Sequence, residues 1–229
     1  MPVRKKAPED LTEKKALALE VIRRLKAEYP DAGCTLDYDH AWQLLVGVRL
    51  AAQCTDARVN IVVEELFAKY PSVAALAAAE PEDIEAIVKP CGLGHSKARD
   101  ISACMRMLRD KYDCRVPDTF EALLALPGVG RKSANLIMGD VFGKPAIVTD
   151  THCIRLCNKI GLVDGIKEPQ KVEMALWKII PPEEGSDLCH RFVMHGRAVC
   201  NARKPECEKC CLKDICRTAR EAAGQQAEP

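Results

Sequence analysis

The chain of 229 residues is long enough for one large domain or two small ones, and its 48% apolar content allows it to bury a core. Abundant alanine and leucine, with only 4% aromatic residues, favour helices over strands. The net charge of +1 gives no global signal for a nucleic-acid partner, and the absence of any run of 18 apolar residues or of an apolar signal segment argues against membrane insertion and secretion.

Apolar residues recur at helical spacing along the chain, and prolines punctuate the gaps between these stripes. The predicted stripes cover residues 17–25, 42–50, 61–67, 84–88 and 101–108. No convincing alternating strand is present, so the predicted fold class is all-α with short connections. We expect a frayed end at residues 1–6 and a disordered tail at residues 221–229, because both are short and polar or charged.

A tight turn is predicted where the chain reads Leu-Pro-Gly-Val-Gly-Arg-Lys, at residues 126–132, between two helices of which the first begins at Asp118-Thr119. Backbone N–H groups at such a turn can hold a phosphate. Lys132 lies in the first turn of the second helix, whose positive end favours the free amine over the ammonium. With Asp150 following 18 residues later, the pattern suggests chemistry on a nucleic-acid sugar. An ordinary helix-breaking turn beside a solvated lysine is the alternative.

A second dense pattern consists of four cysteines within 17 residues, and these are Cys200, Cys207, Cys210 and Cys216. Thirteen cysteines in one chain indicate a reducing, cytoplasmic setting in which they are buried thiols or metal ligands. Spacing alone does not choose between tetrahedral zinc and an iron–sulfur cluster, since both accept four thiolates. Cys211 directly follows Cys210, so we interpret it as a spare thiol.

Positive charge is concentrated around these cysteines. Residues 186–220 contain eight Lys and Arg against four Asp and Glu. Arg203 and Lys204 lie in the loop between the first two cysteines, where a bound metal would hold both cations in place for phosphate binding. Ordinary surface charge is an equally good interpretation of these two residues.

Three blocks of the sequence resemble the endonuclease III family of DNA glycosylases. These are the hairpin at residues 126–135 with Lys132, the run Val-Thr-Asp-Thr-His at residues 148–152 followed by Arg155, and His195-Gly196-Arg197 leading into the four cysteines. A weaker match is Ala-Gln-Cys-Thr-Asp at residues 52–56. The resemblance covers residues 17–217, and its combination of hairpin lysine, later aspartate and cysteine spacing is specific.

The resemblance implies two helical lobes. Residues 34–144 would form a six-helix barrel domain that contains a helix-hairpin-helix at about 119–143. Residues 1–33 and 145–229 would form an iron–sulfur cluster domain. The resemblance also favours a 4Fe–4S cluster over zinc at the four cysteines, with a structural and DNA-contacting task rather than a catalytic one. It further implies a monomer that is associated with the nucleoid.

The implied activity is that of a bifunctional DNA glycosylase and abasic-site lyase in base excision repair, acting on damaged pyrimidines or abasic sites in double-stranded DNA. The damaged nucleotide is turned out of the duplex. Lys132 attacks the sugar carbon and forms a Schiff base, and β-elimination breaks the strand on the 3′ side. Asp150 stabilises developing positive charge or moves protons. The alternative for Asp150 is a helix N-cap, and one carboxylate can serve both roles.

The resemblance also implies DNA contacts. Gln53 would fill the space left in the duplex and Leu93 would act as an apolar wedge on the opposite strand, although a helix cap and a core position are the alternatives for them. The remaining predicted contacts are Gly128, Val129, Gly130, Arg131, Arg203 and Lys204. The sequence departs from the family at Gly94-His95, where bulkier residues usually follow the wedge, and this puts lesion preference in doubt.

Two other functions compete with this one. A relative acting on adenine or thymine mismatches is disfavoured by Lys132, because adenine-specific members generally lack the hairpin lysine. A non-catalytic helix-hairpin-helix protein with a redox cluster is disfavoured by the presence of both Lys132 and Asp150.

Overall fold

The protein is described by a computed structural model of residues 8–225, with side chains described for residues 11–224. The expected fraying at residues 1–6 and the end of the expected tail, residues 226–229, lie outside this range. No strand occurs between residues 8 and 225, which confirms the all-α prediction. None of the helices in that range is long and apolar enough to cross a membrane.

Twelve α-helices make up the described chain. They are α1 (Pro8–Glu28), α2 (Ala41–Leu50), α3 (Asp56–Lys69), α4 (Val73–Ala78), α5 (Pro81–Val88), α6 (Gly94–Lys111), α7 (Phe120–Leu124), α8 (Arg131–Asp140), α9 (Thr151–Ile160), α10 (Pro169–Leu176), α11 (Gly185–Ala198) and α12 (Arg217–Gln225). They divide into two compact units, one of residues 34–144 and one of residues 1–33 with 145–229.

Helix starts in the unit of residues 34–144 follow from capping side chains. Thr55, Ser72 and Thr119 each accept a hydrogen bond from the backbone N–H three residues later, at 3.4, 3.1 and 3.3 Å. A hydroxyl in this position satisfies one of the N–H groups that a helix leaves unpaired at its start. The predicted start of α7 at Asp118-Thr119 is confirmed, with Thr119 as the N-cap.

The core of this unit is built from the predicted apolar stripes, with one exception. Trp42 and Leu50 of α2 and Met105 of α6 are buried together with the inward face of α3. Ile61 of α3, however, is 73% exposed. The helix buries Val59, Val62, Val63 and Leu66 instead, and Ile61 lies on the opposite side of the helical wheel from these positions.

The other unit packs α1 and α9 against α11, around buried residues such as Leu25, Leu156 and Phe192. Its last helix, α12, shows that residues 221–225 are helical, so the prediction of a disordered tail is wrong for them. The helix is anchored at its start, because Arg217 donates to the carbonyl oxygen of Asn158 and Thr218 to that of Lys159, at 2.7 and 3.0 Å.

Candidate active site and nucleic-acid interface

The predicted hairpin is present as α7, a turn and α8. Gly128 has φ +75°, a conformation that side chains disfavour, and Val129 N–H closes the turn on the carbonyl oxygen of Leu126 at 3.1 Å. Gly130 is the N-cap of α8 and supplies no side-chain acceptor. The first N–H groups of α8 therefore have no capping side chain at this end and can donate to a phosphate.

The ion pair between Arg49 and Asp100 packs against the hairpin turn at Gly128. Arg49 Nε donates to Asp100 Oδ2 at 2.9 Å, and Arg49 Nη2 donates to Ser96 Oγ at 3.2 Å. A Cβ atom on Gly128 would lie 2.9 Å from Asp100 Cβ and 3.0 Å from Arg49 Cδ. The Arg49–Asp100 pair is therefore the surface against which the turn packs at Gly128.

Lys132 is the second residue of α8, and its side chain is exposed. Within residues 11–224 its ammonium group has no hydrogen-bond or ion-pair partner. Beside it, the Arg131 guanidinium lies over the Phe120 ring at 4.9 Å from the centroid. The hairpin thus presents an accessible primary amine next to the turn at Gly128, while Arg131 lies against Phe120 of α7.

Asp150 is the N-cap of α9, as the alternative interpretation predicts. Its Oδ1 accepts a hydrogen bond from Cys153 N–H at 2.7 Å. The side chain is half-buried, and no hydrogen bond to the second oxygen, Oδ2, is found within the part of the chain that the structure describes. One oxygen of Asp150 holds the helix start, and the other remains available for chemistry.

One turn further along α9, Arg155 connects this helix to the cysteine segment. Its Nη2 donates to the carbonyl oxygens of Cys200 and Gly196 at 2.8 and 3.2 Å. The same nitrogen lies 3.2 Å from His152 Nδ1. His152 is thus packed against Arg155 and against Gly196, where there is no room for a side chain. Arg155 is a supporting residue whose contacts the sequence did not reveal.

Gln53 and Leu93 are both displayed outward. Gln53 is exposed in the turn after α2, and Leu93, immediately before α6, is 57% exposed. The core position considered for Leu93 is therefore wrong. A cap role for Gln53 is also wrong, because Thr55 caps α3. Both residues have positive φ, +58° for Gln53 and +52° for Leu93, which is unusual for side chains of their size.

The first residue of α6, directly after Leu93, is tightly packed, which accounts for the glycine at position 94. A Cβ atom on Gly94 would lie 3.1 Å from Lys89 Cα. His95 is exposed and its Nδ1 lies 3.0 Å from Glu85 Oε2. A bulky residue directly after Leu93 would press on the backbone of Lys89, so in this chain Leu93 is displayed without a large neighbour.

Four cysteine thiols line one pocket. The lining includes Cys200, Cys207, Cys210 and Cys216, whereas Cys211 is not part of it. Among the described residues, no three side chains of His, Cys, Asp or Glu converge closely enough to share one metal ion. The four cysteines share this pocket, and four thiolates are a ligand set that suits either a tetrahedral zinc ion or an iron–sulfur cluster.

His195 supports this pocket from the side. It is 1% exposed, its Nδ1 lies 3.0 Å from Tyr29 Oη, and its Nε2 lies 3.3 Å from Cys210 Sγ. Burial lowers the pKa of His195. The sequence favours a packed His195 over a metal ligand, because four cysteines already suffice, and the side chain is indeed packed, in hydrogen-bond contact with one of those cysteines.

Two local hydrogen bonds hold the loop between the first two cysteines. Lys204 N–H donates to Asn201 Oδ1 at 2.7 Å, and Glu206 N–H donates to the carbonyl oxygen of Val199 at 2.9 Å. Arg203 and Lys204 extend exposed side chains from this loop, and within residues 11–224 neither cationic group is paired with an acid. The loop thus holds two available cations.

Comparison with known proteins places this chain in a family. The family model described as HhH-GPD superfamily base excision DNA repair protein matches residues 46–182. Endonuclease III of Synechocystis is 42% identical over 210 residues, covering 91% of this chain and 95% of the relative. Endonuclease III of Escherichia coli K12 is 38% identical over 202 residues, covering 88% and 95%.

Solved structures agree with these relatives. A non-covalent endonuclease III–DNA complex matches with a TM-score of 0.86 at 38% identity, covering 92% of this chain and 98% of the solved one. A trapped endonuclease III–DNA covalent intermediate matches with a TM-score of 0.86 at 39% identity, covering 91% and 98%. The chain belongs to the endonuclease III family within the HhH-GPD superfamily of base excision DNA repair proteins. The prediction of a DNA glycosylase and abasic-site lyase is thereby confirmed.

Proposed function

We propose that the protein removes oxidised pyrimidines from double-stranded DNA and then cleaves the strand on the 3′ side of the resulting abasic site. The observation that carries this proposal is Lys132, an exposed and unpaired amine among the described residues, on the first turn of α8 beside a phosphate-binding turn. The relative captured as a covalent intermediate with DNA supports a covalent mechanism.

In the proposed reaction the damaged nucleotide first leaves the base stack, which costs less for a base that pairs and stacks poorly. The Lys132 nitrogen then bonds to C1′ of the sugar and the base departs with the electrons of the glycosidic bond. The free oxygen of Asp150 stabilises positive charge on the sugar and accepts the proton released by the amine. The C1′–O4′ bond then breaks, O4′ takes a proton, and the open-chain Schiff base forms between Lys132 and C1′. The Schiff base acidifies the C2′ proton, and loss of that proton breaks the C3′–O3′ bond and expels the 3′ phosphate.

The proposed DNA contacts divide into two kinds. The hairpin residues Gly128, Val129, Gly130 and Arg131 and the loop cations Arg203 and Lys204 would bind phosphates, which position the protein but carry no sequence information. Gln53 would fill the space that the flipped nucleotide leaves, and Leu93 would act as an apolar wedge on the opposite strand. We further propose that the protein acts as a monomer and is found in the cytoplasm with the nucleoid.

Trapping on DNA tests the catalytic proposal. Abasic-site DNA is incubated with the protein and borohydride, which reduces a Schiff base to a stable bond. We expect a covalent protein–DNA adduct with the wild type and none with Lys132→Gln. Lys111→Gln, at the exposed end of α6, is the matched control and should trap as well as the wild type. An adduct that persists in Lys132→Gln would refute the assignment of the nucleophile.

We also propose that Cys200, Cys207, Cys210 and Cys216 hold a 4Fe–4S cluster. The support is that these four cysteines line one pocket, which excludes the neighbouring Cys211, in a chain of the endonuclease III family. When bound, the cluster would pin the loop of residues 200–207 and so present its two cations to DNA.

The cofactor proposal is tested by metal analysis of anaerobically purified protein. We expect a yellow-brown protein with iron and acid-labile sulfide at about four each per chain. Cys207→Ala should lose the colour and Cys211→Ala should keep it, because Cys211 does not line the pocket. A colourless preparation with one zinc per chain would contradict the assignment.

A further inference from the structure

Lys97 is buried in a way that the proposed reaction does not explain. It is 0% exposed and is the largest of the fully buried side chains in the described structure. A buried ammonium group is costly unless polar partners surround it. Lys97 has no carboxylate partner within residues 11–224, and its Nζ instead donates to the carbonyl oxygens of Leu50 and Cys91, both at 2.8 Å.

These two carbonyl groups belong to different loops. Leu50 ends α2, three residues before Gln53, and Cys91 lies two residues before Leu93. Lys97 itself is in the first turn of α6, where its N–H donates to the carbonyl oxygen of Leu93 at 3.0 Å. A single residue thus bonds to the base of the Gln53 loop and, twice, to the Leu93 loop.

Both loops hold their exposed residue in a strained conformation. Gln53 and Leu93 have φ of +58° and +52°, and a non-glycine residue persists there only where its surroundings enforce it. The two loops are also joined by a thiol contact. Burial, the charge interaction with the neighbouring Cys54 and a hydrogen bond with its thiol raise the pKa of Cys91 to about 11.

We propose that Lys97 is a positioning residue that holds the Gln53 loop and the Leu93 loop at a fixed spacing, so that both side chains enter the duplex together. The inference rests on the insertion roles proposed for Gln53 and Leu93. Two loops fixed in advance lose less conformational entropy on binding DNA than two independent loops. Turning the nucleotide out of a duplex depends on this arrangement, whereas Schiff-base formation on single-stranded abasic DNA does not.

The test compares Lys97→Met with Ile101→Val. Methionine fills the space of the lysine stem but cannot donate to the two carbonyl groups. Ile101 lies one turn further along α6, is 2% exposed, and has no bond to either loop, so its variant controls for a general loss of core packing. All proteins are assayed at a temperature at which circular dichroism shows them folded.

Three measurements separate positioning from stability. The first is the fluorescence of 2-aminopurine placed opposite an oxidised pyrimidine, which rises when the stack is opened. The second is single-turnover excision from that duplex, and the third is borohydride trapping on a single-stranded abasic oligonucleotide.

We expect Lys97→Met to lose the fluorescence rise and to excise at least about tenfold more slowly, because two charge-assisted hydrogen bonds are lost. Trapping should stay within about twofold of the wild type. Ile101→Val should match the wild type in all three.

Each other outcome has a definite meaning. A wild type that neither excises nor traps defeats the proposed function itself. If the wild type is active, the positioning role is overturned when Lys97→Met keeps both the fluorescence rise and excision. It is also overturned when Lys97→Met loses excision and trapping to the same extent.

If Lys97→Met does not fold, Lys97→Gln retains an N–H donor for one carbonyl group and is expected to fold with an intermediate loss of excision. Failure of both variants to fold while Ile101→Val folds would make Lys97 a general core residue and would also overturn the inference.

Discussion

The two carboxylate oxygens of Asp150 have different environments. Oδ1 accepts the Cys153 N–H at 2.7 Å and so fixes the start of α9. Capping and catalysis are therefore compatible in one side chain, and a substitution can separate them. Asparagine is as good an N-cap as aspartate but carries no charge.

We predict that Asp150→Asn folds normally and loses most base excision. The cap is retained, so the melting temperature should change by no more than about 2–4 °C. Loss of the charged group that stabilises the sugar and moves protons should slow excision by at least about 100-fold. The measurements are thermal unfolding by circular dichroism and single-turnover excision.

Asp150→Ala is the companion variant, because it removes both roles. Its excision should be as slow as that of Asp150→Asn, and it should also lose about 1 kcal/mol of stability with the cap. Full excision by Asp150→Asn would show that the carboxylate has only the structural role.

At the scale of elements, the hairpin between α7 and α8 depends on one glycine. Gly128 combines φ +75° with a floor formed by Arg49 and Asp100. Gly130 has φ −98°, and a Cβ atom there would meet nothing within 4 Å. Position 128 thus requires glycine, because of its positive φ and its close neighbours. Position 130 has room for a side chain.

Alanine substitutions test this difference through stability. Gly128→Ala should destabilise the protein by about 1–3 kcal/mol, since the new methyl group is strained and crowds Asp100. Gly130→Ala should cost less, about 0.5–1 kcal/mol, because alanine is a poorer N-cap than glycine but its methyl group meets no neighbour. Denaturant unfolding of the two variants checks the expectation. Equal losses in both would mean that the Arg49–Asp100 floor does not constrain the turn.

Local patterns predicted most of the helices, and long-range contacts account for what was missed. The hairpin, the cap at Thr119 and the buried stripes depend on residues close together in the chain, so spacing alone reveals them. The Arg49–Asp100 pair joins residues 51 apart, and the bond from Lys97 to Leu50 spans 47. Nothing in the local sequence indicates such partners. Ile61 shows a further limit, because three apolar residues do not fix which face of a helix is buried.

At the scale of the whole molecule, the net charge of +1 does not indicate where the cations that are proposed to bind DNA are located. The proposed phosphate contacts are local, namely the backbone of the hairpin in one unit and the pair Arg203 and Lys204 in the other. Affinity for DNA should therefore depend on a few specific contacts rather than on overall charge. The salt dependence of binding distinguishes these cases, since each neutralised phosphate releases counterions.

We predict that Arg203→Ala and Lys204→Ala each weaken binding to abasic-site duplex and lower the slope of log K against log salt by about 1. Lys171→Ala is the matched control, because it removes the same charge from the same unit but the lysine is already paired with Glu168 at 2.6 Å. The slope is measured by fluorescence anisotropy across a salt series. Should Lys171→Ala reduce the slope as much as the loop variants do, overall charge rather than these two positions would govern the association, and the proposed role of residues 200–207 in holding the cations would fail.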